Sequence, residues 1–109
     1  MITVAEVWHL RPEFCVEARR IMQEMDDLFG PAAHGHAGWC GHAIFLQDVD
    51  HPETVLVIYP WKTRGQHQDL MKREKSLLID FEAAYSSQPR EVRYYDNLAV
   101  DAGPLDNGP

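Results

Sequence analysis

Apolar positions recur along this 109-residue chain with two different periods. In Thr3–Leu10 they alternate, with Val4, Glu6, Trp8 and Leu10 on one face and Thr3, Ala5, Val7 and His9 on the other. A period of two predicts a strand. From Pro12 onward the spacing changes: Phe14, Ala18, Ile21, Met22, Met25, Leu28 and Phe29 mark one face of a helix. Pro12 suits its first turn, and Gly30-Pro31 is expected to stop it at about Phe29. A link, Ala32–Ala37, carries His34 and His36.

The stretch Gly38–Trp61 organises the rest. Cys40–Leu46 and Thr54–Tyr59 are apolar runs rich in β-branched and aromatic residues, separated by the polar Gln47–Glu53 with Pro52 inside it. Such runs predict two paired strands. A second amphipathic helix is expected from Thr63 to about Tyr85, with His67, Leu70, Met71, Glu74, Leu77, Leu78, Phe81 and Tyr85 facing inward. Ser86–Pro89 ends it, Arg90–Val100 forms a last strand, and Asp101–Pro109 reads as a flexible tail after one domain at 1–100.

The order β-α-β-β-α-β is the ferredoxin-like α+β unit: a four-stranded antiparallel sheet with two helices on one face. Val55-Leu56-Val57-Ile58 is apolar without alternation, which a strand needs when both its faces are covered. Val55, Val57, Tyr59, Trp61, Ala5 and Val7 are therefore expected to need cover on the second face. A second copy of the chain packed sheet to sheet supplies it, and a homodimer is expected.

Composition narrows the partners. The formal charge of −7 speaks against nucleic acid and anionic membrane surfaces. No apolar run approaches the roughly 20 residues needed to span a bilayer. Met1-Ile2-Thr3-Val4 enters a strand with neither a basic region nor a signal-type apolar core, so a cytoplasmic location is expected. Cys15 and Cys40 read as reduced, small buried hydrophobes, Cys15 on a helix and Cys40 in a strand.

The first strand ending in Leu10-Arg11-Pro12, the Gly38 turn, the Asp48–Pro52 loop, the strand ending in Tyr59-Pro60-Trp61 and the closing Val92-Arg93-Tyr94-Tyr95 together resemble the antibiotic biosynthesis monooxygenase family over about residues 1–100. The resemblance implies a dimeric α+β barrel with a pocket between helices and sheet. It also implies oxygenation of an aromatic or polyketide-like metabolite without a bound cofactor. The haem-degrading branch of that family carries an Asn, a Trp and a His at positions that fall on Glu6, Leu70 and Asp80 here. None matches, so haem degradation by that route is disfavoured. Other members carry a His near the position of Leu70; the nearest here is His67, about one turn earlier.

The candidate chemistry lies on the faces expected to point inward. Glu6 is the most unusual residue, a carboxylate on an apolar strand face, where burial would raise its pKa and fit it for proton transfer. Its alternative is an edge position reaching solvent or paired with an Arg. His67 and Glu74 stand two turns apart on the second helix and complete a candidate catalytic set with Glu6; otherwise both snorkel at the helix margin. Trp8, His42, Tyr59, Trp61 and Tyr85 are the candidate substrate-binding wall. His34, His36 and His42 have no recognised metal spacing, and the first two read as solvated loop residues. The expected activity is a monooxygenase using molecular oxygen. Alternatives are a haem- or transition-metal-binding relative with ligands among Glu6, His67, Glu74 and His42, a non-redox cyclase or isomerase, or a non-catalytic binding subunit.

Overall fold

The computed structural model describes residues 1–101 and 103, so most of the expected tail at Asp101–Pro109 lies outside the described residues. Strand β1 (Ile2–Leu10) leads through a 3₁₀ segment, Pro12–Glu17, into helix α1 (Ala18–His34). Strands β2 (Ile44–Gln47) and β3 (Thr54–Trp61) form the hairpin, followed by helix α2 (Arg64–Tyr85) and strand β4 (Ser86–Asp96). All pairings are antiparallel in the order β2-β3-β1-β4, the ferredoxin-like arrangement.

Three boundaries differ from expectation for local reasons. Gly30-Pro31 does not end α1, which runs on to His34. A proline disfavours helical backbone before it partly through a clash with the preceding Cβ, which Gly30 lacks. The missing Pro31 N–H costs one hydrogen bond near a terminus that Gly35 closes, its N–H donating to the Pro31 carbonyl at 3.1 Å. The second strand is only four residues long, and Cys40 lies before it, next to an isolated bridge between Trp39 and Trp61. Strand β4 begins directly at Ser86 and ends at Asp96, so Ser86–Pro89 is strand rather than turn. Pro89 is tolerated because β4 is an edge of the sheet.

The register corrects the assignment of faces. Val4, Glu6 and Trp8 stand opposite Tyr59, Val57 and Val55, and Ile2 opposite Trp61. Directly paired residues share a face, so Val55, Val57, Tyr59 and Trp61 face the helices, not the open side. An unbroken apolar run carries no phase, which is why the sequence reading puts Val55, Val57, Tyr59 and Trp61 on the wrong face. The open face carries Ala5, Val7, Leu56, Ile58, Ile44 and Leu46, with Ile44 60 % exposed and Leu46 47 %.

Between helices and sheet lies a core of Trp8, Leu10, Ile21, Met22, Met25, Phe29, Val55, Val57 and Phe81. Leu28 and Leu77, expected inside, are each 42 % exposed: the buried ridge of α1 runs through Ile21, Met22, Met25 and Phe29, and that of α2 through His67, Leu70, Glu74 and Phe81. Thr63 caps α2, its Oγ1 accepting the Gln66 N–H at 3.1 Å. Trp61 is packed so closely on Gly38 that a Cβ there would stand 2.7 Å from its Cε2. No described helix is long and apolar enough to cross a membrane.

Candidate active site

Three adjacent strands and one helix bring a polar cluster to the middle of the apolar layer. Glu6, at the centre of β1, is 4 % exposed. Its Oε1 accepts the Trp8 indole N–H at 3.0 Å and the Arg90 Nη1–H at 2.8 Å. Its Oε2 accepts the Tyr59 hydroxyl. Arg90 arrives from β4, its guanidinium 5.6 Å from the Trp8 ring centroid, and its side chain is as buried as its partner's. Glu6 thus takes the alternative of pairing with an Arg, but deep inside the protein. Burial alone would lower the Arg90 pKa; the charges of Glu6, Tyr59 and Glu74 outweigh it and hold the guanidinium firmly protonated.

His67, on α2, lies behind Tyr59. Its Nε2 is 2.5 Å from the Tyr59 hydroxyl and its Nδ1 is 2.8 Å from the Tyr94 hydroxyl. Burial pushes its pKa down to about 4, against the pull of Glu6, so it is neutral near pH 7. Burial, then the charge of Glu6, pushes the Tyr59 phenol well above its ordinary range, and burial also raises Tyr94.

Glu74 differs from Glu6 in every respect but burial. It is 6 % exposed, two turns beyond His67 on α2. Its carboxyl makes no hydrogen bond among the described residues. Burial raises its pKa to about 7; the nearby Arg90 pulls it down and Glu6 pushes it up. Glu6 has its oxygens occupied by three donors, whereas Glu74 is an uncommitted carboxyl poised near neutrality.

Both carboxyls open onto one cavity of about 80 Å³, room for several water molecules. Glu6, Tyr59, Glu74 and Arg90 line its polar end, and Met25, Phe29, Phe45, Val57, Trp61 and Leu70 its apolar wall. The Trp61 indole N–H is buried without a partner among the described residues. At the mouth, the His34, Trp39 and His42 rings meet edge to face at 5.2–5.4 Å.

Of the candidates read from the sequence, Glu6, Glu74, Tyr59, Trp61 and His42 line this cavity. His67 and Trp8 stand behind its wall, holding Tyr59 and Glu6. Tyr85 is elsewhere: eleven residues past Glu74, about 16 Å along a helix, it packs on Phe14 and Phe81 and donates to Glu24 at 2.6 Å. His36 is not solvated; its Nε2 is 2.8 Å from Asp69, and its Nδ1 accepts the Gly38 N–H at 2.9 Å. His34 reaches the mouth from the end of α1. Arg90 and Tyr94 are site residues that sequence reasoning missed. The signal was partial: Arg90, Val92 and Tyr94 alternate on one face of a strand and a buried Glu6 requires a cation, but the spacing does not say which cation. As for ligand chemistry, both ring nitrogens of His67 face hydroxyls, so His67 presents no free nitrogen to a metal or haem iron, and Glu6 is already held by three donors. No group of three His, Cys, Asp or Glu able to hold a metal occurs among the described residues.

Comparison with known proteins agrees with this architecture. No family model matches the chain, and no curated protein matches it. Solved structures do. SnoaB, described as a cofactor-independent oxygenase from Streptomyces nogalater, is 11 % identical with a TM-score of 0.67, covering 94 % of this chain and 97 % of its own. A candidate antibiotic biosynthesis monooxygenase from Nitrosomonas europaea is 16 % identical, with a TM-score of 0.65 and coverage of 90 % and 99 %. A second Nitrosomonas europaea protein, NE2512, of unknown function, is 14 % identical with a TM-score of 0.67 and coverage of 94 % of each chain. The chain has the fold of the antibiotic biosynthesis monooxygenases; at these identities the likeness is one of fold.

Proposed function

We propose that the cavity binds a small aromatic molecule with an acidic O–H or C–H, and that Glu74 takes that proton so the resulting anion can react with molecular oxygen. One observation carries the reading: a buried, unbonded carboxyl held at about pH 7, facing an apolar cavity beside an Arg. An acid–base group is most effective when its pKa lies near the working pH. Arg90 offers positive charge to the anion, and the aromatic and aliphatic wall suits a flat ring. The fold shared with a cofactor-independent oxygenase supports the oxygen step. For a ketone with an acidic methylene, the balance is CH₂ + O₂ → C=O + H₂O. The methylene carbon is oxidised, dioxygen is reduced, and no further reductant enters.

Anthrone, a flat tricyclic ketone that would place its methylene in the cavity and extend its outer ring through the open mouth at His34 and His42, is the probe. Oxygen uptake equal to the anthraquinone formed is the expected result. Consumption of substrate with no oxygen uptake would replace oxygenation by an isomerase-type proton transfer, and no binding of anthrone or of fused-ring phenols would remove the reading altogether.

We also propose that the chain is a homodimer closed through the open sheet face. Ile44, Leu46, Leu56 and Ile58 form an apolar surface there that a second sheet would cover. Leu56→Asp should convert a dimer into a monomer in light scattering, and a monomeric wild type would end the proposal.

A further inference from the structure

Behind the cavity wall, four side chains form a single hydrogen-bonded row: Glu6, Tyr59, His67 and Tyr94. Its proton positions follow from elementary valence. A carboxylate only accepts, so the Tyr59 O–H donates to Oε2 of Glu6. The Tyr59 oxygen then accepts from Nε2–H of His67 at 2.5 Å. A neutral imidazole carries one N–H, so Nδ1 is bare and accepts the Tyr94 O–H at 2.8 Å. Every proton in the row therefore points toward Glu6. Oε1 is pinned separately by Trp8 and Arg90, which leaves Oε2 to the row. At one end Glu6 and Tyr59 line the cavity. At the other, Tyr94 is only partly buried and lies under the exposed Arg64 guanidinium, 5.0 Å from its ring, where α2 begins. His67, 1 % exposed, has no direct access to water.

We infer that Tyr94, His67 and Tyr59 are a proton path joining the surface at the start of α2 to the carboxyl end of the cavity. In the inward step the O–H bonds of Tyr94 and Tyr59 and the Nε2–H bond of His67 break. New bonds form at Nδ1 of His67, at the Tyr59 oxygen and at Oε2 of Glu6, while Tyr94 regains a proton from water. Oε2 gives that proton to the oxygenated anion, and the shifted row, now pointing outward, carries away by the same steps reversed the second methylene proton released as the C=O forms. A ligand in the cavity covers the direct route from solvent, whereas the row runs behind the wall. Its use rests on the reaction proposed above: the oxygenated anion needs a proton before its O–O bond breaks, and the row brings one to the carboxyl end. His67 and Tyr94 are positioning residues that pass the proton without touching substrate.

The test uses the full-length chain with anthrone. Tyr94→Phe removes one hydroxyl and keeps the ring under Arg64. It should lower kcat about tenfold with KM unchanged and enlarge the solvent deuterium isotope effect. His67→Gly should lose about 100-fold and recover with added imidazole, since positioned proton transfer contributes about 10² or more. A purely structural role would show neither the isotope effect nor the recovery. Wild-type kcat and isotope effect in Tyr94→Phe, alongside an inactive Glu74→Gln, would overturn the path and leave the Glu74 reading standing. Should wild type not oxidise anthrone, ¹⁵N spectra of the His67 ring decide. An Nε2–H tautomer at pH 7, with an Nδ1 signal that moves in Tyr94→Phe, supports the row; an Nδ1–H tautomer overturns it.

Discussion

Glu74→Gln is expected to lose anthrone turnover by about 10²–10⁴-fold, the range for removing a positioned proton acceptor. The same variant should be more stable than wild type above neutral pH. Glu74 binds its proton more tightly folded (about 7) than unfolded (4.5), so its contribution is fully present below pH 4.5 and disappears as pH rises through 7. The difference is about 3 kcal/mol. His67 has the opposite sign: with its folded pKa lowered from 6.5 to about 4, its contribution is present above 6.5 and fades as pH falls toward 4. Between pH 4.5 and 6.5 the two slopes offset one another in wild type. Removing Glu74 exposes the His67 slope, so the variant's stability should rise from pH 4 to 6.5 and then level off. Urea unfolding at pH 5 and pH 8 measures it. A variant that keeps turnover, or whose advantage over wild type does not grow between those pH values, would contradict an ionisable, catalytic Glu74.

Arg90→Met should give the largest loss of stability. It strips Glu6, 4 % exposed, of its cation and leaves a buried charge with two neutral donors, Trp8 and Tyr59. Breaking a buried pair from one side costs about 3–5 kcal/mol. Adding Glu6→Gln to that variant should recover part of the loss, because an amide in that place needs no counter-charge. Chemical unfolding of the two single variants and the double variant gives the coupling directly. Additive losses would mean that Glu6 and Arg90 do not depend on each other.

Several of these features were legible in the chain and others were not, for definable reasons. The alternation of β1 correctly turned Glu6 and Trp8 inward, because a period of two fixes a face once the helical side is known. The spacing of α2 likewise put His67 and Glu74 on its buried side. The run Val55–Ile58 has no alternation, so only pairing with β1 reveals that Val57 and Tyr59 join Glu6 on the helix side. Arg90 looked like the first residue of a strand after a proline. Its partner lies 84 residues away, and such a pairing becomes visible only once β4 is laid beside β1. The division of labour between two buried carboxylates was beyond sequence for a similar reason. It depends on which one meets donors: among the described residues Glu6 meets three and Glu74 none.

The most direct measurement is the ¹³C NMR titration of the Glu74 carboxyl in the folded protein, assigned by its absence in Glu74→Gln. A midpoint near pH 7, shifting when anthrone or a fused-ring phenol binds, is the expected result. A midpoint near 4.5 that ignores such ligands would show an ordinary ionised surface-like carboxylate, and would contradict its role as the proton acceptor of the cavity.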